Sequence, residues 1–132
     1  VLTDETVELQ TNSDIVLVRQ KVRTWAQQLG FSLVDQTKIV TAASELARNT
    51  LNYAGGGTLR LEILQQGTRS GLRLTFEDQG PGIPDIDLAM KDNYSTGSGL
   101  GLGLGGAKRL MSEFEIVSTV GQGTRVTVTR WK

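Results

Sequence analysis

The chain has 132 residues, with fourteen Lys and Arg balancing fourteen Asp and Glu, and it contains neither cysteine nor histidine. Disulfides, Cys- or His-based zinc sites and Ser-His-Asp or Cys-His catalysis are thereby excluded, so acid–base work falls to carboxylates, lysine or tyrosine. The even charge gives no footprint for nucleic acid or an anionic membrane surface, and no stretch has a membrane span or signal-peptide order, so one cytoplasmic domain over residues 1–132 is expected.

Thr6 to Thr11 alternates and reads as a first strand. Asn12 or Ser13 can cap a helix running to Leu29, with Ile15, Val18, Val22, Trp25 and Leu29 on one face and Gly30 as a left-handed end. Ser32 and Asp35 have capping-box spacing and open a second helix whose inner stripe is Ile39, Ala43, Leu46 and Thr50. The Gly55-Gly56-Gly57 run stops it. Two alternating runs, Thr58 to Gln65 and Gly71 to Asp78, then form a hairpin across a polar turn.

A stretch with Gly80-Pro81-Gly82 and Pro84 and little periodicity reaches to about Gly106. A third helix, Ala107 to Glu113, leads into strands Phe114 to Val120 and Thr124 to Trp131, turned by Gly121-Gln122-Gly123. The order β-α-α-β-β, loop, α-β-β predicts an α+β fold: a two-layer sandwich with helices over one face of a mixed, mostly antiparallel sheet.

Four features carry candidate chemistry. Glu45 and Asn49 are one helical turn apart on one face, at the edge of the buried stripe. A carboxylate with a carboxamide suits magnesium and a hydroxyl to be deprotonated. The same spacing also allows a plain polar face on which Glu45 pairs with Arg48.

Asp78 continues the core-facing row of Leu72, Leu74 and Phe76. A carboxylate there needs donors, and the exocyclic amine of adenine is one. Gly80 and Gly82 would let backbone approach a flat base. Asp78 also reads as a turn former before Gly-Pro-Gly.

Ser95 to Gly106 alternates glycine with leucine and runs into a helix, a backbone suited to wrap phosphates. No strand precedes Gly101, Gly103 and Gly106 and no Gly-Lys-Ser/Thr follows, so neither a dinucleotide fingerprint nor a P-loop is present. Leu100, Leu102 and Leu104 are out of place in a solvated linker. Lastly, Thr124 shares parity with Val126 and Val128, so its hydroxyl points inward from a hairpin turn.

In this order the motifs resemble the ATP site of the histidine-kinase-like ATPases, whose fold is of the Bergerat type. Ser44-Glu-Leu-Ala-Arg-Asn49 with Tyr53-Ala-Gly55, Glu77-Asp-Gln-Gly-Pro-Gly-Ile-Pro-Asp85 and Lys108-Arg-Leu-Met-Ser-Glu-Phe114 are most similar to the small bacterial serine kinases of partner-switching systems, the stressosome switch kinases. The resemblance covers essentially the whole chain. Sister anti-sigma factors usually carry Asn-Ala and a downstream His, whereas this chain has Asn49-Thr50 and no histidine. The switch kinases also carry a proline where this chain reads Gly105-Gly106.

The resemblance implies that Asn49 holds Mg²⁺ against the ATP phosphates and that Glu45 is the base for a substrate serine or threonine. It implies that Asp78 binds the adenine amine with Thr124, that Gly80 and Gly82 line the base, and that Gly97, Gly99, Gly101 and Gly103 cover the phosphates. Arg48, Lys91 and Lys108 remain alternatives for neutralising phosphate charge. The implied substrate is a STAS-domain protein, and the implied later partner is a PP2C-type phosphatase or its regulator. The rival outputs are an anti-sigma factor holding a sigma subunit with ATP as conformational ligand, a histidine-kinase catalytic domain cut from a larger chain, and a degenerate site.

Overall fold

The structure is a computed structural model that describes residues 4–90 and 104–132. Elements run β1 (Asp4–Leu9), α1 (Asn12–Gln28), α2 (Leu33–Ala54), β2 (Gly57–Gln66), β3 (Arg69–Asp78), α3 (Ile86–Ala89), α4 (Leu104–Leu110), β4 (Glu113–Thr119) and β5 (Gly123–Trp131). The strands form a five-stranded sheet in the order β1-β2-β3-β5-β4.

The long helices follow from their stripes and ends. On α1, Val18, Val22, Trp25 and Ala26 are buried, while Ile15 and Leu29 pack at the margin. Its cap is Thr11 rather than Asn12 or Ser13. The Asp14 carboxylate accepts from the backbone N–H of Gln10 and Thr11, at 2.8 and 3.0 Å. Those amides hold the Asp14 carboxyl below its usual value, because they favour the charged form. On α2, Ser32 Oγ accepts from the Asp35 N–H at 3.1 Å, and Gly55, at φ 79°, closes the helix in the left-handed region. Ile39, Ala43, Leu46 and Thr50 are all buried, so the inner stripe lies where the spacing put it.

The helices cover one face of the sheet, meeting Leu59, Leu61, Leu72, Leu74, Phe76, Val126 and Val128 in one apolar cluster. Each pairing among the described strands is antiparallel, and no parallel pair occurs there. The reason is that β4 and β5 are joined by a tight turn, and it is β5 that sits against β3. The other face is polar, with Arg73 reaching Glu62 through two hydrogen bonds of 3.0 and 3.1 Å.

Three segments differ from the sequence reading, the first being β1, which spans Asp4–Leu9 rather than Thr6 to Thr11 and leaves Thr11 to cap α1. Ile86–Ala89 is a short helix inside the stretch expected to lack structure. The helix expected over Ala107 to Glu113 spans Leu104–Leu110 instead. Gly105 and Gly106 form its first turn, with Leu104 and Ala107 buried against the core. It stops early because the Ser112 N–H joins the sheet, donating to the Thr129 carbonyl at 2.8 Å.

Candidate nucleotide site

The helical period places Glu45, Asn49 and Tyr53 on successive turns of one side of α2. Across from them, Asp78 ends β3 and Thr124 is the second residue of β5, and the two face each other in the ladder. Between helix and sheet lies a cavity of about 30 Å³, lined in part by Asn49, Thr50, Tyr53, Asp78, Leu104 and Thr124. It has room for roughly two waters.

Asp78 is half-buried at the cavity wall. Its Oδ1 accepts from the Gly80 N–H at 2.9 Å and the Thr124 N–H at 3.2 Å. Burial pushes its carboxyl above the usual value, against the opposing pull of those two amides. Both bonds end on Oδ1, which leaves Oδ2 as an acceptor. That chemistry fits an amine donor.

The sequence reading missed a set of hydrogen bonds beneath this pair. The Ile83 N–H donates to Ser118 Oγ at 2.7 Å, Ser118 Oγ lies 2.8 Å from Thr124 Oγ1, and it also reaches the Gly123 carbonyl at 3.3 Å. The Tyr53 hydroxyl donates to the Gly82 carbonyl and so ties α2 to the loop after β3. The inward parity of Ser118, six residues before Thr124, was visible in the sequence. Its partner Ile83, 35 residues away, was not.

Gly80 and Gly82 are held by close packing. A Cβ on Gly80 would come within 2.6 Å of Ala54 Cβ on α2. Gly82 has φ 79°, and its Cβ would lie 2.5 Å from the Thr119 carbonyl oxygen. Both glycines therefore let the loop close against α2 and the β4–β5 turn. Gly97, Gly99, Gly101 and Gly103 lie outside the described residues.

Glu45 stands one turn before Asn49, outside the lining of the cavity, with its Oε1 paired to Arg48 Nη1 at 2.9 Å. Both readings of this helix face thus coexist: the pair forms, and Glu45 and Asn49 still share one side. Among the described residues no group of three or more Asp and Glu side chains is placed to hold a metal ion. A magnesium ion here would draw most of its oxygens from phosphate and water, with one from Asn49. That is the usual manner of nucleotide-bound magnesium.

Residues 34–132 match the family described as Histidine kinase-, DNA gyrase B-, and HSP90-like ATPase. Across 125 residues the chain is 50% identical to serine/threonine-protein kinase RsbT of Bacillus subtilis (strain 168), covering 95% of this chain and 94% of that one. The chain belongs to this ATPase family, in its serine/threonine-protein kinase branch. An anti-sigma F factor of Thermoanaerobacter sp. (strain X514) is 31% identical over 118 residues, 86% of this chain and 82% of the relative. The fold also matches one part, 33%, of the crystal structure of the RsbU and RsbW domains of Rv1364c from Mycobacterium tuberculosis, over 99% of this chain, with TM-score 0.66 and 23% identity. Membership in this ATPase family implies that the chain binds ATP. No helix among the described residues is long and apolar enough to cross a membrane.

Proposed function

We propose that residues 1–132 act as one kinase domain in the cytoplasm, phosphorylating a serine or threonine of a STAS-domain partner with Mg-ATP. The modified partner then loses its grip, freeing the kinase for a PP2C-type phosphatase or its regulator. The observation that carries this reading is the 50% identity, over nearly the whole of both chains, to a serine/threonine-protein kinase.

The chain's own groups divide the work. Asp78 and Thr124 accept from the adenine amine and fix the base. Asn49 supplies an amide oxygen to magnesium at the phosphates, with Gly97, Gly99, Gly101 and Gly103 covering them and Gly80 and Gly82 holding the loop beside the base. ATP supplies the phosphoryl group, which moves to the substrate hydroxyl oxygen as its bond to ADP breaks. Glu45 accepts the proton from that hydroxyl on its carboxylate, whose Oε1 is the oxygen paired to Arg48. Positioning and charge stabilisation account for most of such a transfer. The new phosphate, nearly dianionic, is enough to break an interface built for a neutral hydroxyl.

A second reading is supported by the 31% identity to an anti-sigma F factor: retention of a sigma subunit with ATP as conformational ligand. A pull-down from native lysate with Mg-ATP, using wild-type and Glu45→Ala baits, separates the two. New phosphosites on a STAS-domain protein only with wild-type bait support the kinase reading. A retained sigma subunit with no Glu45-dependent phosphosite supports the other.

A further inference from the structure

Thr124 lines the cavity and carries a hydroxyl that can either donate or accept, and its partner Ser118 limits which. Ser118 Oγ already accepts from the Ile83 N–H. Its own hydrogen has two possible takers, the Gly123 carbonyl at 3.3 Å and Thr124 Oγ1 at 2.8 Å. If it goes to Gly123, Thr124 must donate to Ser118. All three contacts are then made together, and Thr124 turns only lone pairs toward the cavity. If it goes to Thr124, the Gly123 bond is lost and the Thr124 hydrogen points into the cavity instead.

The first arrangement makes one more hydrogen bond inside the protein, so it is the favoured one. It sets an acceptor at Thr124 beside the acceptor carboxylate of Asp78, whose Oδ1 takes the Thr124 N–H at 3.2 Å. The wall then welcomes an amine donor and repels a carbonyl oxygen.

We infer that Ser118 is a specificity-determining residue, holding the Thr124 hydroxyl as an acceptor so that the site takes a 6-amino purine and rejects a 6-oxo purine. This rests on the site being a nucleotide site. Ser118 acts through Thr124, without touching the base, and is therefore a positioning residue. Its removal would free the Thr124 hydrogen to meet a 6-oxo group, weakening ATP binding and strengthening inosine triphosphate binding.

The test is titration of the purified chain with ATP and with inosine triphosphate, each with magnesium. Wild type should prefer ATP. Ser118→Ala should shrink that preference about tenfold, the scale of one neutral hydrogen bond. Ser118→Thr, which keeps the hydroxyl, should restore it. In a Thr124→Val background, Ser118→Ala should leave the preference where Thr124→Val alone puts it, since no hydroxyl remains to orient. Because Ser118→Ala also strands the Ile83 N–H, Ser118→Cys is titrated alongside. It keeps the shape, offers only a weak acceptor, and should shift the preference the same way. If both variants bind the two nucleotides more weakly by equal factors, Ser118 is structural only and the inference is overturned. Equal wild-type affinity for both nucleotides also overturns it. If wild type binds neither, it is the nucleotide reading itself that fails.

Discussion

Glu45 shares its Oε1 with Arg48 Nη1 at 2.9 Å, one turn short of Asn49 on the same helix. The side chains keep 35% and 47% of their exposure, so water screens the pair and its loss costs little stability, about 0–1 kcal/mol. A glutamine at this position can still accept from Arg48 but cannot take a proton. Glu45→Gln is therefore expected to fold and melt as wild type and to bind ATP normally. Its phosphotransfer should fall by about 10²–10⁴, the usual span for a general base. Thermal melts, ATP titration and transfer rates on one preparation check this; retained transfer would remove Glu45 from the base role.

Asp78 places function against stability. Burial raises its carboxyl above the ordinary 3.8, so the fold favours the protonated form. The sign follows from linkage: this group's contribution is fully present below 3.8 and is lost as pH rises through the raised folded value. Asp78→Asn keeps an oxygen for the Gly80 and Thr124 amides and removes the charge. Without nucleotide the variant should melt at or above the wild-type temperature near neutral pH, and the gap should close in acid. Its ATP affinity should fall about ten- to a hundredfold, as expected for losing a charged hydrogen-bond acceptor. Melting curves at several pH values with and without ATP read both effects. A gap that widens in acid would contradict the burial argument.

Gly82 and Gly67 make a matched pair. Both sit in the left-handed region, at φ 79° and 62°. Around Gly67 a Cβ would meet nothing within 4 Å, whereas at Gly82 it would strike the Thr119 carbonyl at 2.5 Å. Gly67→Ala should cost only the backbone penalty, about 1–2 kcal/mol. Gly82→Ala should cost clearly more and should also weaken ATP binding, because that loop carries the tie to Tyr53. Denaturant melts of both variants give the comparison, and equal losses would show that the β4–β5 turn gives way freely.

Arg130 braces the ends of two helices. Its Nη2 meets Asp35 Oδ1 in the first turn of α2, and its Nη1 meets the Leu110 carbonyl at the end of α4, both at 2.9 Å. Arg130→Met keeps the apolar stem and removes both bonds. A loss of about 1–3 kcal/mol is expected by denaturant unfolding. A loss under half of that range would mean that α4 is held by Leu104 and Ala107 alone.

Much of this was readable before any coordinates. The α1 and α2 stripes, Ser32 with Asp35, and the inward parity of Asp78 and Thr124 are local periodicities, and local periodicity survives folding. The α3 helix escaped because four residues are too few to show a stripe. The start of α4 escaped because Gly105 and Gly106 carry the propensity of a loop, and burial of Leu104 and Ala107 outweighs it. The Ser118 hydrogen bonds join segments 35 residues apart, and no spacing rule reaches that far. The Glu45–Arg48 pair was legible at helical spacing, but that it forms beside Asn49 without displacing it is a structural fact.

The most direct test of the central claim is a single-turnover assay: purified chain, Mg-ATP labelled on its terminal phosphate, and purified STAS-domain proteins from the same organism. Label should pass to a serine or threonine of one of them with wild type, and should fail to pass with Glu45→Gln although that variant still binds ATP. Label that stays on ATP with every STAS-domain protein, or that moves equally well with Glu45→Gln, would contradict the account.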